Sequence, residues 1–465
     1  MISTNCWRCL ARPSQRLLLA PVSVAASAST SAAFTTTSAQ LAKASEPSTS
    51  KHLRTGKRLV LGRKKRQADK TKPPLPGERK AFRKRIQLSN DNALAVPGLN
   101  VLSAENVVDS DSIGKVFGIP PEITDQLRAC EAFKSSQNWN LFRSPHMLVR
   151  KETVDLAKQM TDAIGKKETL RLVVTGNRGS GKSILGLQAL ATGFLNKWVV
   201  INIPEGQELT TAATEYAPIP NSEMFSQPVY TVKLMQAIHQ TNQAVLSQHK
   251  VQLDHMHLPI SVTRNMTLAA LLNATKEPDF AWPVFQAFWQ ELLLPGRPPI
   301  LFSLDGLAHI MRISEYRSPA FELIHSHDLS LLRMYTEALG GKMAFPNGAA
   351  ILGVTAKGNA PRIPSMEMAI AQAAAAQKGE KAPERDPFYR KYDERVFDSL
   401  RGVKLLDVQG VSKTEARALM EYWAASGILR SRIDDKNVCE NWTLAGGGVL
   451  AEMERVAFHD LRAPT

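Results

Sequence analysis

Residues Arg171–Leu190 read RLVVTGNRGSGKSILGLQAL, and the order of elements in that stretch decides the fold. The apolar run Arg171–Thr175 predicts a buried strand, and Lys182–Leu195 predicts a helix. Between them Gly176–Ser183, GNRGSGKS, matches G-x-x-x-x-G-K-[ST] without deviation. Strand, glycine loop and helix in that order make the pattern a phosphate cradle rather than a flexible turn. Gly176, Gly179 and Gly181 let the backbone turn tightly, so that with Asn177, Arg178 and Ser180 it aims N–H groups at phosphates. The positive end of the following helix adds to the cradle. Lys182 supplies a mobile point charge for the β- and γ-phosphates, and the Ser183 hydroxyl is a magnesium ligand.

Working outward, WVVIN (198–202), PILFSL (299–304) and AAILGVT (349–355) are short apolar runs bounded by Pro, Gly or Asn. Such runs suit parallel strands covered on both faces. Lys151–Ile164 carries apolar residues at helical spacing. The fold class is therefore α/β, a P-loop NTPase of the AAA-like (ASCE) kind with a parallel sheet and flanking helices. Asp305 ends the third run and puts a carboxylate at the tip of a buried strand, the Walker B position from which an acid holds magnesium. Many P-loop ATPases of this layout place a glutamate next, to activate the attacking water. Here the residue is Gly306. Loss of a positioned base costs about 10²–10⁴-fold in rate, so the expectation is tight occupancy with slow or no turnover. Thr355 ends the fourth run, where its side chain would lie near the γ-phosphate. No N-K-x-D guanine-reading motif is present, and motifs alone do not separate GTP or GDP from ATP.

The net charge of +15 is unevenly spread. Residues 51–85 hold fifteen basic residues and two acids, and residues 1–50 hold four and one, which leaves the rest of the chain close to neutral. Residues 1–45 are acid-free and rich in Ser, Thr and Ala, the composition of a mitochondrial transit peptide; a secretory signal fits less well because its apolar core is short and broken by Pro21. Residues 46–95 form a basic arm too polar to fold alone, suited to neutralising RNA phosphates; a solvated tail and a nuclear signal at GRKKR are the other readings. The nucleotide domain spans 96–365, an exposed Ala-rich helix and linker 366–394, and a C-terminal unit 395–465. In that unit Ser412 and Glu415 form a capping box opening a helix through Ser426. The segment after it reads as a hairpin turning at Asp434–Asp435, which together resembles a winged helix. Its capped helix carries no net charge toward phosphates, so packing or protein contact suits it better than DNA. Cys6 and Cys9 lack a second pair for zinc. His309, His325 and His327 sit among apolar residues and read as buried histidines rather than metal ligands. No stretch approaches the ~18 uninterrupted apolar residues of a membrane span.

From about Phe142 to Phe458 the chain resembles the death-associated protein three family of the mitochondrial small ribosomal subunit. The likeness rests on FRSPHMLVRK, the P-loop, WVVINIPEGQELT, YAPIPNSEMFSQPVYTVKLMQAIHQTNQAVL, SLDGLAHI, IHSHDLSLLRMY, NGAAILGVTAKGN and LLDVQGVSKTEARALMEYWAASGIL. The resemblance implies a structural ribosomal protein with a bound guanine nucleotide and magnesium, at most a slow GTPase. Its implied partners are small-subunit rRNA and neighbouring mitochondrial ribosomal proteins. Gly179, Gly181, Lys182 and Ser183 would bind phosphates and magnesium, with Asp305 as the Walker B acid. One departure is Ser226 before Gln227-Pro228, where the family often has Asp. The competing expectation is an active AAA-like ATPase acting on nucleic acid or protein assemblies, and a GTP-dependent signalling switch is a third.

Overall fold

The structure is a computed structural model that describes residues 86–458 apart from Arg264 and Asn359. The leader and the densely basic segment 51–85 lie outside the described residues. Helices α1 (Pro121–Ala129) and α2 (Lys151–Gly165) precede strand β1 (Thr169–Gly176), which feeds α3 (Lys182–Leu195) and β2 (Val199–Ile203). Helices α4 (Pro228–Leu246) and α5 (Pro278–Leu292) lead to β3 (Ile300–Asp305). Then come α6 (Ser330–Gly340), β4 (Ala349–Val354), α7 (Pro364–Lys378) and β5 (Lys404–Val408). Helices α8 (Lys413–Ala425), α9 (Asp435–Leu444) and α10 (Leu450–Ala457) finish the described chain.

The five strands form one parallel sheet in the order β5-β1-β4-β3-β2. Every residue of β2, β3 and β4 is buried, because helices cover both faces and leave no polar side for the strands to alternate toward. Val199, Ile201, Ile203, Ile300 and Phe302 pack on one face against α4, α5 and α6. Leu172, Val174, Val200, Leu301 and Leu352 pack on the other against α1, α2 and α3. A third apolar cluster joins α8, α9 and α10 to Phe142 and Leu148.

Both sheet edges are closed by a side-chain carboxamide. At β2, buried Asn242 accepts the Val200 N–H (2.8 Å) and donates to the Val200 carbonyl (2.9 Å). At β5, Gln377 accepts the Leu405 N–H (3.0 Å) and donates to its carbonyl (3.2 Å). An amide offers one donor and one acceptor at the spacing of a peptide group, so each replaces the missing strand at one residue and blunts an edge that could pair with another chain.

Two expectations change here. The winged-helix reading of the C-terminal unit is corrected: Asp434 and Asp435 open α9 instead of turning a hairpin. The Asp434 side chain caps the helix by accepting the Asn437 N–H at 2.8 Å, and Asp435 is its first residue. Two adjacent aspartates suit a turn and a helix start equally, since the same short carboxylate serves both. Among the described residues the chain after β5 is helical. The Ala-rich helix α7, expected to be exposed, is half-buried through Met366, Ala369 and Ala375, and its Gln377 closes the β5 edge.

Candidate functional site

The start of α3, the segment directly after β4 and the tip of β5 line one cavity of ≈ 470 Å³, inside the range of about 300–1,000 Å³ of small-molecule sites. Arg178, Gly179, Gly181, Lys182, Ser183 and Thr355 line one end of it. Gly176, Gly179 and Gly181 have φ of +141°, +76° and +99°. At Gly179 the glycine is required twice over: the backbone is left-handed, and a Cβ there would lie 2.9 Å from the Ala451 Cβ. Asn177 and Arg178 are exposed at the loop's crest, and Ser180 is buried with its hydroxyl donating to the Asn177 carbonyl at 3.0 Å. Helix α3 starts from Gly181 with no side-chain cap, so its first N–H groups and positive end face the loop.

Lys182 is almost fully buried and donates to the Gly176 carbonyl (3.1 Å) and the Asn177 carbonyl (2.5 Å). Burial, with the nearby Lys357 adding to it, holds its pKa below the ordinary lysine value; Asp305 and Asp407 act in the other direction. A desolvated cation with a second cation beside it is stabilised by an anion, which is the electrostatic condition for phosphate binding.

Asp305, the last residue of β3, is buried, and its carboxylate accepts from the Ser183 hydroxyl at 2.8 Å and from the Gly306 N–H at 2.7 Å. Ser183 and Asp305, 122 residues apart in sequence, therefore bring two hard oxygen donors together beside the cavity that Ser183 lines. That donor set fits magnesium, which takes one or two protein oxygens and fills its shell with water and phosphate. Gly306 adopts φ +81°, and a Cβ at the neighbouring Gly206 would lie 2.9 Å from the Gly306 carbonyl. Thr355 follows β4, which runs between β1 and β3; its hydroxyl donates to the Val174 carbonyl at 2.8 Å. Its side chain lines the cavity while bound to the sheet.

The structure adds residues that no motif announced. Arg150, before α2, is buried and donates to the Ser180 carbonyl (3.0 Å) and the Gln409 carbonyl (2.8 Å), tying the phosphate loop to the segment after β5. The Ala451 N–H of α10 donates to the Gly179 carbonyl at 3.1 Å, so the last helix sits on the loop. Lys134, from the segment after α1, contacts the Asp305 carboxylate. At the far end of the cavity Trp139, Phe142, Leu148, Leu419 and Leu450 make apolar walls. Asn138 and Glu454 add a polar pair there, the amide donating to the carboxylate at 2.8 Å. These contacts span 30 to 316 residues, and a local pattern search has no signal for them.

The three histidines are buried. His325 Nδ1 accepts the His327 N–H at 3.1 Å and its Nε2 lies 3.0 Å from Asp393. His309 packs beside Gly306, and burial lowers its pKa, with Arg312 adding to the effect. Ser226, where the family pattern has an acid, donates to the Ala217 carbonyl at 3.2 Å, and Gln227 donates to the Leu209 carbonyl at 2.8 Å.

The model of the family described as mitochondrial ribosomal death-associated protein 3 matches residues 147–456. The chain is 50% identical, over all of its own length and all of the relative's, to small ribosomal subunit protein mS29 of Neurospora crassa. It is 24% identical to the protein of the same name from Schizosaccharomyces pombe, over 73% of this chain and 70% of that one. Against a solved Aeropyrum pernix ORC1 protein in complex with DNA, the TM-score is 0.30 at 14% identity, over 68% of this chain and 61% of that one. That likeness is too slight to carry an argument.

Proposed function

Because this chain belongs to the mitochondrial ribosomal death-associated protein 3 family, we propose that it is a structural component of the mitochondrial small ribosomal subunit that keeps a guanine nucleotide with magnesium on the loop Gly176–Ser183. Its place of work is the mitochondrion, and its service is to mitochondrial translation. Small-subunit rRNA and neighbouring ribosomal proteins are its partners, with the basic arm 46–95 as the RNA-facing segment. No helix of the described residues is long and apolar enough to cross a membrane.

The observation that carries the nucleotide reading is the joining of Ser183 and Asp305 beside a buried, depressed-pKa Lys182 at the rim of one cavity. The strand order supports the P-loop NTPase class of the AAA-like, ASCE kind: β4 lies between the phosphate-loop strand β1 and the acid-bearing strand β3. Gly306 supports storage over turnover. Its left-handed backbone is the position where a water-activating glutamate would stand. A glutamate there would be strained as well as new. At the other end of the cavity the Glu454 carboxylate is an acceptor matched to the N1–H and N2–H edge of guanine, whereas adenine presents an acceptor at N1.

Mitochondrial ribosomes purified through a high-salt wash test the structural role. The protein stays with the small subunit in stoichiometric amount; its quantitative loss would show a transient factor. Hydrolysis separates the ATPase alternative. Steady-state turnover above about 1 s⁻¹ by the isolated chain, typical of enzymes, would favour that alternative over a stored nucleotide.

A further inference from the structure

The cavity holds a cation beyond those of the phosphate loop. Lys134 lies on a segment pinned on itself: Gln137 Oε1 accepts both the Lys134 N–H and the Trp139 indole N–H, each at 2.8 Å. The Phe133 and Trp139 rings meet edge to face at 5.3 Å. From this fixed base the Lys134 ammonium reaches Asp305 Oδ2, the same oxygen that accepts from Ser183, while Oδ1 takes the Gly306 N–H. The Lys134 side chain is 28% exposed and that of Asp305 12%, and Lys134 lines the same cavity as Lys182 and Ser183. The pair is 171 residues apart in sequence and meets only because the fold brings the segment after α1 to the tip of β3.

We propose that Lys134 is a built-in counter-charge at the metal position, which shares Asp305 with magnesium and pairs with the outer phosphate oxygens of the nucleotide. The inference rests on the nucleotide reading of the cavity and extends it. One of the two oxygens that a divalent ion needs, Asp305 Oδ2, already faces a side-chain ammonium. Polyphosphate charge is met in cis by Lys134, Lys182 and the exposed Arg178 and Lys357 on the cavity's rim. An ammonium is a compact point charge with three donors, able to face a carboxylate and a phosphate together. The nucleotide is accordingly retained whether or not magnesium is bound, as suits a site that stores its ligand.

The test uses the full chain and a fluorescent GDP analogue, titrated in excess MgCl₂ and again in EDTA. For the unaltered protein, affinity in the two conditions differs by less than about tenfold. Lys134→Met lowers affinity in EDTA by about 30-fold or more, the cost of removing one partner of a part-buried charge pair, and makes binding depend on magnesium. Lys134→Arg keeps the charge and the metal-independence, and so separates a charge effect from damage to the fold. If the unaltered chain loses GDP in EDTA to the same degree as Lys134→Met, this role is wrong while the nucleotide site stands. If no guanine nucleotide binds even in MgCl₂, the nucleotide reading fails and this role fails with it.

Discussion

Gly306 shows how one residue sets the character of a site. It follows the Asp305 carboxylate, turns the chain at φ +81° and opens the short helix Leu307–Ile310. Any L-residue there takes on the left-handed penalty of about 1–2 kcal/mol. Gly306→Ala therefore lowers stability by that amount in a denaturant melt, although the added methyl meets nothing closer than 3.4 Å. Gly306→Glu restores the residue type of a general base without its geometry, so steady-state hydrolysis stays below about 1 s⁻¹. A rise above that rate would mean that sequence, and not backbone, withheld the catalytic carboxylate. At this scale the site was half legible. Gly176–Ser183 is contiguous and self-announcing, and Asp305 is marked by the apolar run before it. Lys134, Arg150, Asn138 and Glu454 act from separate elements, and each is an ordinary polar residue in its local context.

At the scale of elements, the strands with uniform burial were the readable ones. The runs at 171–175, 198–202, 299–304 and 349–355 coincide with β1 to β4 within two residues at either end. Strand β5, KLLDV, was not anticipated. It is an edge strand with a part-exposed pattern, so Lys404 and Asp407 interrupt the apolar signal. The helix α9 was misread because its capping aspartate looks like a turn. The two edge clips were invisible for the same reason that makes them useful: Asn242 and Gln377 sit near the C-terminal ends of their helices, where a carboxamide is unremarkable. They differ in burial, and that difference is testable. Asn242 is 2% exposed, so Asn242→Leu strands a buried N–H and C=O and costs about 2 kcal/mol or more. Gln377 is exposed, water replaces its amide, and Gln377→Leu costs less than about 1 kcal/mol. Equal losses in urea melts would show that the clips work by packing instead of by satisfying the strand edge.

Across the whole molecule, the chain after β5 is bound to the sheet through the glycine loop Gly176–Ser183 and through an aromatic stack. The His146 ring lies 4.4 Å from Phe142 and 4.1 Å from Tyr422 of α8, centroid to centroid. Burial pushes the His146 pKa down to about 3 from 6.5, and does the same to His327, where His325 and two arginines add to the effect. Both histidines are neutral when folded and take up protons when unfolded. Their contribution is present in full above the unfolded value near 6.5 and is lost as pH falls from there toward 3. The midpoint of thermal unfolding should therefore drop between pH 7.5 and pH 4.5. His146→Phe, which keeps an aromatic ring and cannot take up the proton, should flatten the fall by up to about 1.4 kcal/mol per pH unit. An unchanged slope would mean that His146 is not held neutral by the stack.

On the proposed function, the cavity above Gly176–Ser183 keeps a guanine nucleotide as part of the fold. The most direct measurement is to purify the protein from mitochondria without added nucleotide, denature it, and identify by chromatography and mass spectrometry what it releases. The predicted result is GTP or GDP, stoichiometric with the chain. Release of an adenine nucleotide would contradict the assignment of the base, and release of none would contradict the claim itself.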